Sequence, residues 1–332
     1  MRWSKLALLC VCALFVGTAQ AQEPVKIRVA WVAPLANWGS ILAEKKDLAR
    51  HAGTSYVMEP VRYAGTPLMI TALANNELEI ASVAYSTLGL AVQNAGMDDL
   101  RIIGDEFRDG VAGYYSQEYM VLKDGPIKQV EDLKGKVVAT NTVGSAVDVA
   151  MRAMLRKHGL EDKRDYTVVE APFPTMRAML AEKKAMIIPG VLPFSLDPEL
   201  RKIAQPLFLQ RDAIGVTDMI VWTARKPFLD KNRAVMVDFM EDVLRVTHWY
   251  LDPANHKEVI EIAARLTKQP PAQFDWLFTK QDAYHDPNMM PDLAALQANV
   301  DLTRDLGFVR SSLDVKKIAD LSIVEEAAKR LR

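Results

Sequence analysis

The sequence predicts an α/β protein built as two lobes, and three observations lead there. From Lys26 onward, apolar runs of strand length alternate with amphipathic stretches of helix length, the pattern of βαβ units around mostly parallel sheets flanked by helices. The alternation falls into two series, separated by an apolar stretch at 114–123 and closed by a similar one at 217–224. A chain of 332 residues, 50% hydrophobic and 25% charged, is long enough for two cores at about 100 to 200 residues per domain.

In the first series, strands are expected near 27–33, 56–63, 80–84 and 101–105, with helices near 39–51, 67–75 and 87–96. In the second, strands are expected near 136–140, 166–170 and 186–189, with helices near 146–158 and 174–182. The stretch 114–123 ends at Asp124-Gly125-Pro126, and 217–224 ends near Lys226-Pro227. A chain that leaves one lobe through the first and returns through the second has a two-strand hinge. After the return, 228–251, 257–266, 272–278 and 293–306 read as helices punctuated by Pro253, Pro270-Pro271, Pro287 and Pro291, which pack on lobe one. The expected boundaries are 23–122 plus 219–332 for lobe one with its helical wrap, and 123–218 for lobe two.

The first 22 residues read as a cleavable signal peptide: basic Arg2 and Lys5, an apolar run at 6–16, and the small-residue site Ala19-Gln20-Ala21. About 11 apolar residues fall short of the roughly 20 that span a bilayer. Both cysteines of the chain, Cys10 and Cys12, lie inside this segment, so the mature chain is expected to carry no thiol, disulfide or Cys-based metal site. Leu8-Leu9 before Cys10 does not resemble a lipid-attachment site. The formal net charge of −1 falls to about −3 once Arg2 and Lys5 are removed, which gives no reason to expect a nucleic-acid partner.

Signatures of catalysis are missing: no Gly-x-Ser-x-Gly elbow, no His-Glu-x-x-His helix, no phosphate loop and no dinucleotide fingerprint. The five histidines, His51, His158, His248, His256 and His285, match no metal spacing, so no metal and no cofactor is expected. What the chain does offer is a set of helix starts just after strands. Gly65-Thr66-Pro67 follows the second strand, with Thr66 expected as N-cap and Pro67 at the first helical position. Asn141-Thr142-Val143-Gly144-Ser145 follows the first strand of the second series, and Tyr85-Ser86 forms a third such edge. Each turn has two readings, a simple cap or an anion site made of free backbone N–H groups. Their joint placement at strand ends, where open α/β sheets bind ligands, favours a shared pocket. Asn37 and Trp38 add an amide and an indole after the first strand, the indole serving either ligand or packing. Asp218, on the return strand, either receives a cationic group or makes a hinge hydrogen bond.

In order, these pieces resemble the substrate-binding proteins of sulfonate, taurine, nitrate and thiamine-precursor importers. That family's Ser-Gly-Pro, helix, Leu-x-x-Gly-x-Ile-Asp-Ile run is matched by Gly65-Thr66-Pro67 and Leu73-Ala74-Asn75-Asn76-Glu77-Leu78-Glu79-Ile80. Its Ile-x-x-x-x-Asp-Leu-Lys-Gly-Lys-x-Val-Ala segment is matched by Ile127, Val130, Asp132-Leu133-Lys134-Gly135-Lys136 and Val138-Ala139, followed by Gly144-Ser145. The chain departs at Lys183-Lys184-Ala185-Met186-Ile187 and Val191-Leu192-Pro193-Phe194, where the family carries Gly-x-Val-Asp-Ala and Trp-x-Pro-aromatic.

The resemblance implies the type II periplasmic-binding-protein fold and a monomeric periplasmic receptor with no enzymatic activity. Such a receptor captures a small organic anion, a sulfonate, a taurine-like molecule or an aromatic carboxylate, by hinge closure, and hands it to an ABC importer permease in the inner membrane. Uncharged donors at the helix starts would hold the acid while Trp38, Tyr85 and Phe194 enclose the rest. The alternatives are an enzyme on the same fold, of the pyrimidine-synthesis or desulfinase kind, and a receptor that feeds a sensor.

Overall fold

The structure, a computed structural model, describes residues 23–331; the expected signal peptide lies outside them. Ten strands are defined in chain order. They are β1 (Val25–Trp31), β2 (Tyr56–Arg62), β3 (Ile80–Ala84), β4 (Leu100–Asp109), β5 (Glu118–Leu122), β6 (Lys136–Thr140), β7 (Tyr166–Glu170), β8 (Ile188–Gly190), β9 (Ala204–Leu209) and β10 (Thr217–Arg225).

The first sheet has the order β2-β1-β3-β10-β4, parallel across β2, β1 and β3, with β10 antiparallel to both neighbours. In the second lobe β6 pairs with β7 in parallel, and β5 lies between β8 and β9, antiparallel to both. Backbone bonds from Met186 to Val137 (2.8 Å) and from Ala139 to Ile187 (3.0 Å) join these two pieces. The second sheet therefore reads β7-β6-β8-β5-β9, the same arrangement as the first. In each sheet the fourth place is taken by a reversed strand that the chain reaches by crossing from the other lobe.

This corrects one expectation. The stretch at 114–123 is not a free hinge strand, because Glu118–Leu122 is an interior strand of the second sheet. The crossings are the short segments 110–117 and 210–216, which pass close together. Gly110 has φ +77° and Gly215 φ +74°, and a Cβ on Gly110 would stand 2.9 Å from the Gly215 carbonyl oxygen. Only glycine accepts that backbone and that approach.

The helices that position the site start at the carboxyl ends of strands: α1 (Thr66–Ala74), α2 (Tyr85–Ala95) and α3 (Ala146–Lys157). A left-handed Gly96 ends α2, while α3 is capped by Ser145 and carries Arg156 and Lys157 in its last turn, where cations suit the helix dipole. Two expected helices do not form. Residues 39–51 make three short 3-10 turns, because burial of Trp38, Ile41 and Leu42 sets the chain's path. The N–H groups of Arg50 and His51 are taken by the Asp242 carboxylate. Residues 272–278 keep only the turn Pro271–Gln273, and Phe278 takes a left-handed conformation with its ring stacked on Trp38 at 5.1 Å. The C-terminal helices Arg233–Leu251 and His256–Thr267 pack on lobe one, where Phe239, Leu244, Val259 and Trp222 share one core. A second core runs through both lobes, from Met69, Val83 and Leu88 to Val138, Val149 and Met151.

Candidate functional site

The carboxyl ends of β1, β2, β3, β6, β7 and β8 face one another across the cleft between the lobes. At its floor is a cavity of ≈ 60 Å³, lined by Asn37, Thr66, Asn141 and Ser145 among apolar Phe107, Phe173, Val191, Met219 and Ile220. A smaller one of ≈ 40 Å³ lies beside it, against Asp109, Tyr115 and His285. At the mouth, a larger cavity of ≈ 570 Å³ is lined by Trp31 and Arg62 from lobe one, Arg177 and Phe194 from lobe two, and Gln273 from the C-terminal region. Phe173 lines the inner cavity and Phe194 the outer; their rings stack at 6.3 Å, so this pair forms a wall shared by the two.

Asn37 owes its place to a buried acid. Its side chain donates to Glu106 Oε2 at 2.8 Å, and its Oδ1 accepts from the N–H groups of Val32 (3.0 Å) and Ala33 (2.8 Å). Glu106 also accepts from Trp38 N at 2.5 Å and Trp222 Nε1 at 3.2 Å. Burial pushes its carboxyl up to about 7, against the pull of these donors. Trp38 itself is 1% exposed, packed among Tyr250, Phe278 and His285, and lines none of these cavities. It is a core residue that fixes the loop after β1, because an indole fits the space between that loop and the C-terminal region.

The helix starts meet each other across the cleft. Ser86 Oγ donates to Gly144 O at 2.8 Å, Tyr85 Oη to Ala146 O at 3.1 Å, and Asn141 Nδ2 to Ala64 O at 3.2 Å. Gly65 lies against Thr142 so tightly that a Cβ would stand 2.5 Å from the threonine hydroxyl. Thr66 is the first helical residue of α1 rather than its cap, which is Gly65. In the turn that leads into α3 two donors are already used: Gly144 N donates to Asp148 Oδ2 (2.9 Å) and Val143 N to Glu170 Oε1 (2.5 Å). Asp148 in turn accepts from Arg152 Nε at 3.0 Å. Ser145 Oγ donates to Asn141 Oδ1 at 2.7 Å and accepts from Asp148 N at 3.4 Å. With a buried carboxylate of its own at that terminus, α3 is capped from within. Ser145→Ala is accordingly expected to cost about 0.5 to 2 kcal/mol of stability. An unchanged thermal midpoint would show that the hydroxyl is not a cap.

Asp218 is fully buried on β10, away from these cavities. Its N–H donates to Asn299 Oδ1 at 3.1 Å, and its carboxylate lies with that of Asp105 around Arg108, whose Nε is 3.2 Å from Asp105 and 3.9 Å from Asp218. Burial and mutual repulsion raise Asp105 well above the carboxylate range, and burial takes Asp218 to about 6. Two such groups side by side hold one proton between them more readily than none. Phe107, Phe173, Met219, Arg62 and Arg177 are lining residues that the sequence did not single out.

The sequence model of the NMT1-like family matches residues 20–264. The chain belongs to the NMT1-like family. No curated protein sequence matches it. Among solved structures, this NMT1-like chain is similar to the alkanesulfonate-binding protein of Xanthomonas axonopodis pv. citri bound to MOPS. There the TM-score is 0.71 at 18% identity, covering 90% of this chain and 99% of that one. It is also similar to the periplasmic nitrate-binding protein of Synechocystis PCC 6803, with TM-score 0.70, 15% identity and coverage of 93% and 90%. A desulfurization enzyme shares the fold as well, with TM-score 0.66, 13% identity and coverage of 93% and 100%. At these identities the likeness is one of fold, the two-lobed architecture of periplasmic binding proteins.

Proposed function

We propose that this NMT1-like protein is an exported periplasmic receptor that captures a small organic anion between its lobes and presents it to an ABC importer permease. The observation that carries the reading is the cleft itself. Six strand ends from two like-ordered sheets converge on it, and its outer cavity, walled by both lobes, falls within the roughly 300 to 1,000 Å³ of small-molecule sites. The paired crossings at Gly110 and Gly215 give the lobes a narrow connection about which to open. Residues 1–22 supply the export signal, and among the described residues no helix is long and apolar enough to cross a membrane. Both cysteines lie in that leader, so an enzymatic reading based on thiol chemistry has no nucleophile in the cleft.

An anion screen by thermal unfolding tests the proposal. A ligand that binds only the folded protein, present at 100 times its Kd, is expected to add about 2.7 kcal/mol of stability. Stabilisation by neutral sugars or cations and by no carboxylate or sulfonate would refute the anion assignment. Turnover of a bound anion would refute the receptor.

A further inference from the structure

We infer that the ligand's acidic group is held at the cleft mouth, between Arg62 and Arg177, and that the ligand is an aromatic acid. This rests on the receptor reading and assigns its charge-recognition site. The two guanidinium groups come from opposite lobes and line one cavity of ≈ 570 Å³, while the cavity at the helix starts has ≈ 60 Å³. An anion at the turn before α3 would find the Val143 and Gly144 N–H groups already serving Glu170 and Asp148, and would be repelled by those two carboxylates.

At the mouth the balance is reversed. Arg62 makes no ion pair among the described residues, and its guanidinium lies over the Trp31 ring at 5.4 Å. Arg177 pairs with Asp197 at 3.3 Å through half-exposed side chains. Two cations thus face one carboxylate in this cavity, which leaves one positive charge for a ligand. Arginine forks grip a carboxylate in bidentate fashion, and indole and phenyl rings beside them suit an aromatic body. Trp31 of lobe one and Phe194 of lobe two line the same cavity as the two arginines, so an aryl acid finds rings and cations together there. Nitrate has no apolar body to use those rings, and the ammonium of taurine adds a positive charge beside the arginines. Occupancy ties one lobe to the other, which makes the acid itself the latch.

Calorimetry on the purified protein, with phthalate, benzoate, benzenesulfonate, taurine and nitrate as probes, tests this. Phthalate or another of the aromatic acids is expected to bind, and Arg62→Gln and Arg177→Gln are each expected to weaken it by about tenfold or more. Both residues are largely exposed, so thermal midpoints should stay near the parent's. Asp197→Asn keeps the cap on helix Pro198–Ile203 and removes the competing charge, and is expected to tighten binding several-fold, a gain that misfolding cannot imitate. Tight binding of taurine or nitrate but of no aromatic acid overturns the inference and leaves the receptor reading standing. So does aromatic-acid binding that is indifferent to both arginines and to Asp197→Asn. Binding of no anion at all overturns both.

Discussion

Replacing Glu106 by alanine is expected to cost about 4 kcal/mol or more, which places it among the most damaging single changes available to this protein. The carboxylate is 1% exposed and accepts from Asn37, Trp38 and Trp222. Its removal strands three donors in the interior, at roughly 1 to 3 kcal/mol each, and opens a void. The loss would not stay local. Asn37 orients the Val32 and Ala33 N–H groups at the cleft floor, so ligand affinity should fall with stability. Glu106→Gln keeps an acceptor and the volume, and should cost much less. Urea unfolding of the two variants decides the matter: a loss below about 1 kcal/mol for alanine would mean that the three donors find other partners, and that Glu106 does not organise the loop after β1.

Stability is expected to fall as the pH rises from about 4.5 to 7, opposite to the behaviour of a protein held by surface ion pairs. Glu106 is raised from 4.5 to about 7, and Asp109 from 3.8 to about 6, in both cases chiefly by burial. Asp218 reaches about 6, and Asp105 and Asp148 are raised too, again by burial first. In each case the folded state binds the proton more tightly than the unfolded chain does, so these groups contribute full stability below their ordinary values and lose it as the pH passes the folded ones. At 1.36 kcal/mol per unit, Glu106 alone accounts for roughly 3 kcal/mol over that window. Of the groups shifted downward, Glu131, Asp132 and Glu199 lie at the surface, and Asp165, itself buried, is paired with the exposed Arg164. Their contribution is lost only below about pH 4.5, so a maximum is expected near pH 4.5. Urea midpoints measured from pH 4.5 to 8 should therefore decline, and Glu106→Gln should flatten part of the decline. A midpoint that rises across this range would show that these carboxyls are ionised without penalty in the folded protein.

Patterning bounds three strands to the residue: Ile80–Ala84, buried at all five positions, Lys136–Thr140, and the half-exposed edge strand Tyr166–Glu170. In each, a short apolar or alternating run between turn signals leaves little choice. Patterning did not reveal Ala204–Leu209, where Pro206 interrupts the run. As the edge of the second sheet, β9 tolerates a residue with no N–H, just as edge strand β2 tolerates Pro60. Helical periodicity at 39–51 was real, but the anchoring of Trp38 and the capture of two N–H groups by Asp242 override it.

At the site, Asn37, Thr66, Asn141 and Ser145 do line the inner cavity, since the ends of strands in an open sheet are readable from strand order alone. That the donors of α3 serve an internal carboxylate was not readable, although Asp148 three residues after Ser145 was the available signal. Arg62 and Arg177 carry no local pattern. Only the folded arrangement sets one against the other, from different lobes and across 115 positions of sequence.

The reversed fourth strand also dictates the order in which the molecule can be completed. Lobe two is encoded without interruption from β5 to β9, so every strand of its sheet is at hand once the chain has been delivered as far as Leu209. Lobe one is different. Until β10 arrives, β3 and β4 have no strand between them, and each presents an open apolar edge of the kind that recruits foreign strands. As the chain emerges from its N-terminus onward, the earlier-made lobe is thus the later-finished one. It waits through more than a hundred residues for a single nine-residue insert, and that insert, buried along nearly its whole length, is the step that turns two loose halves of a sheet into a wall of the cleft.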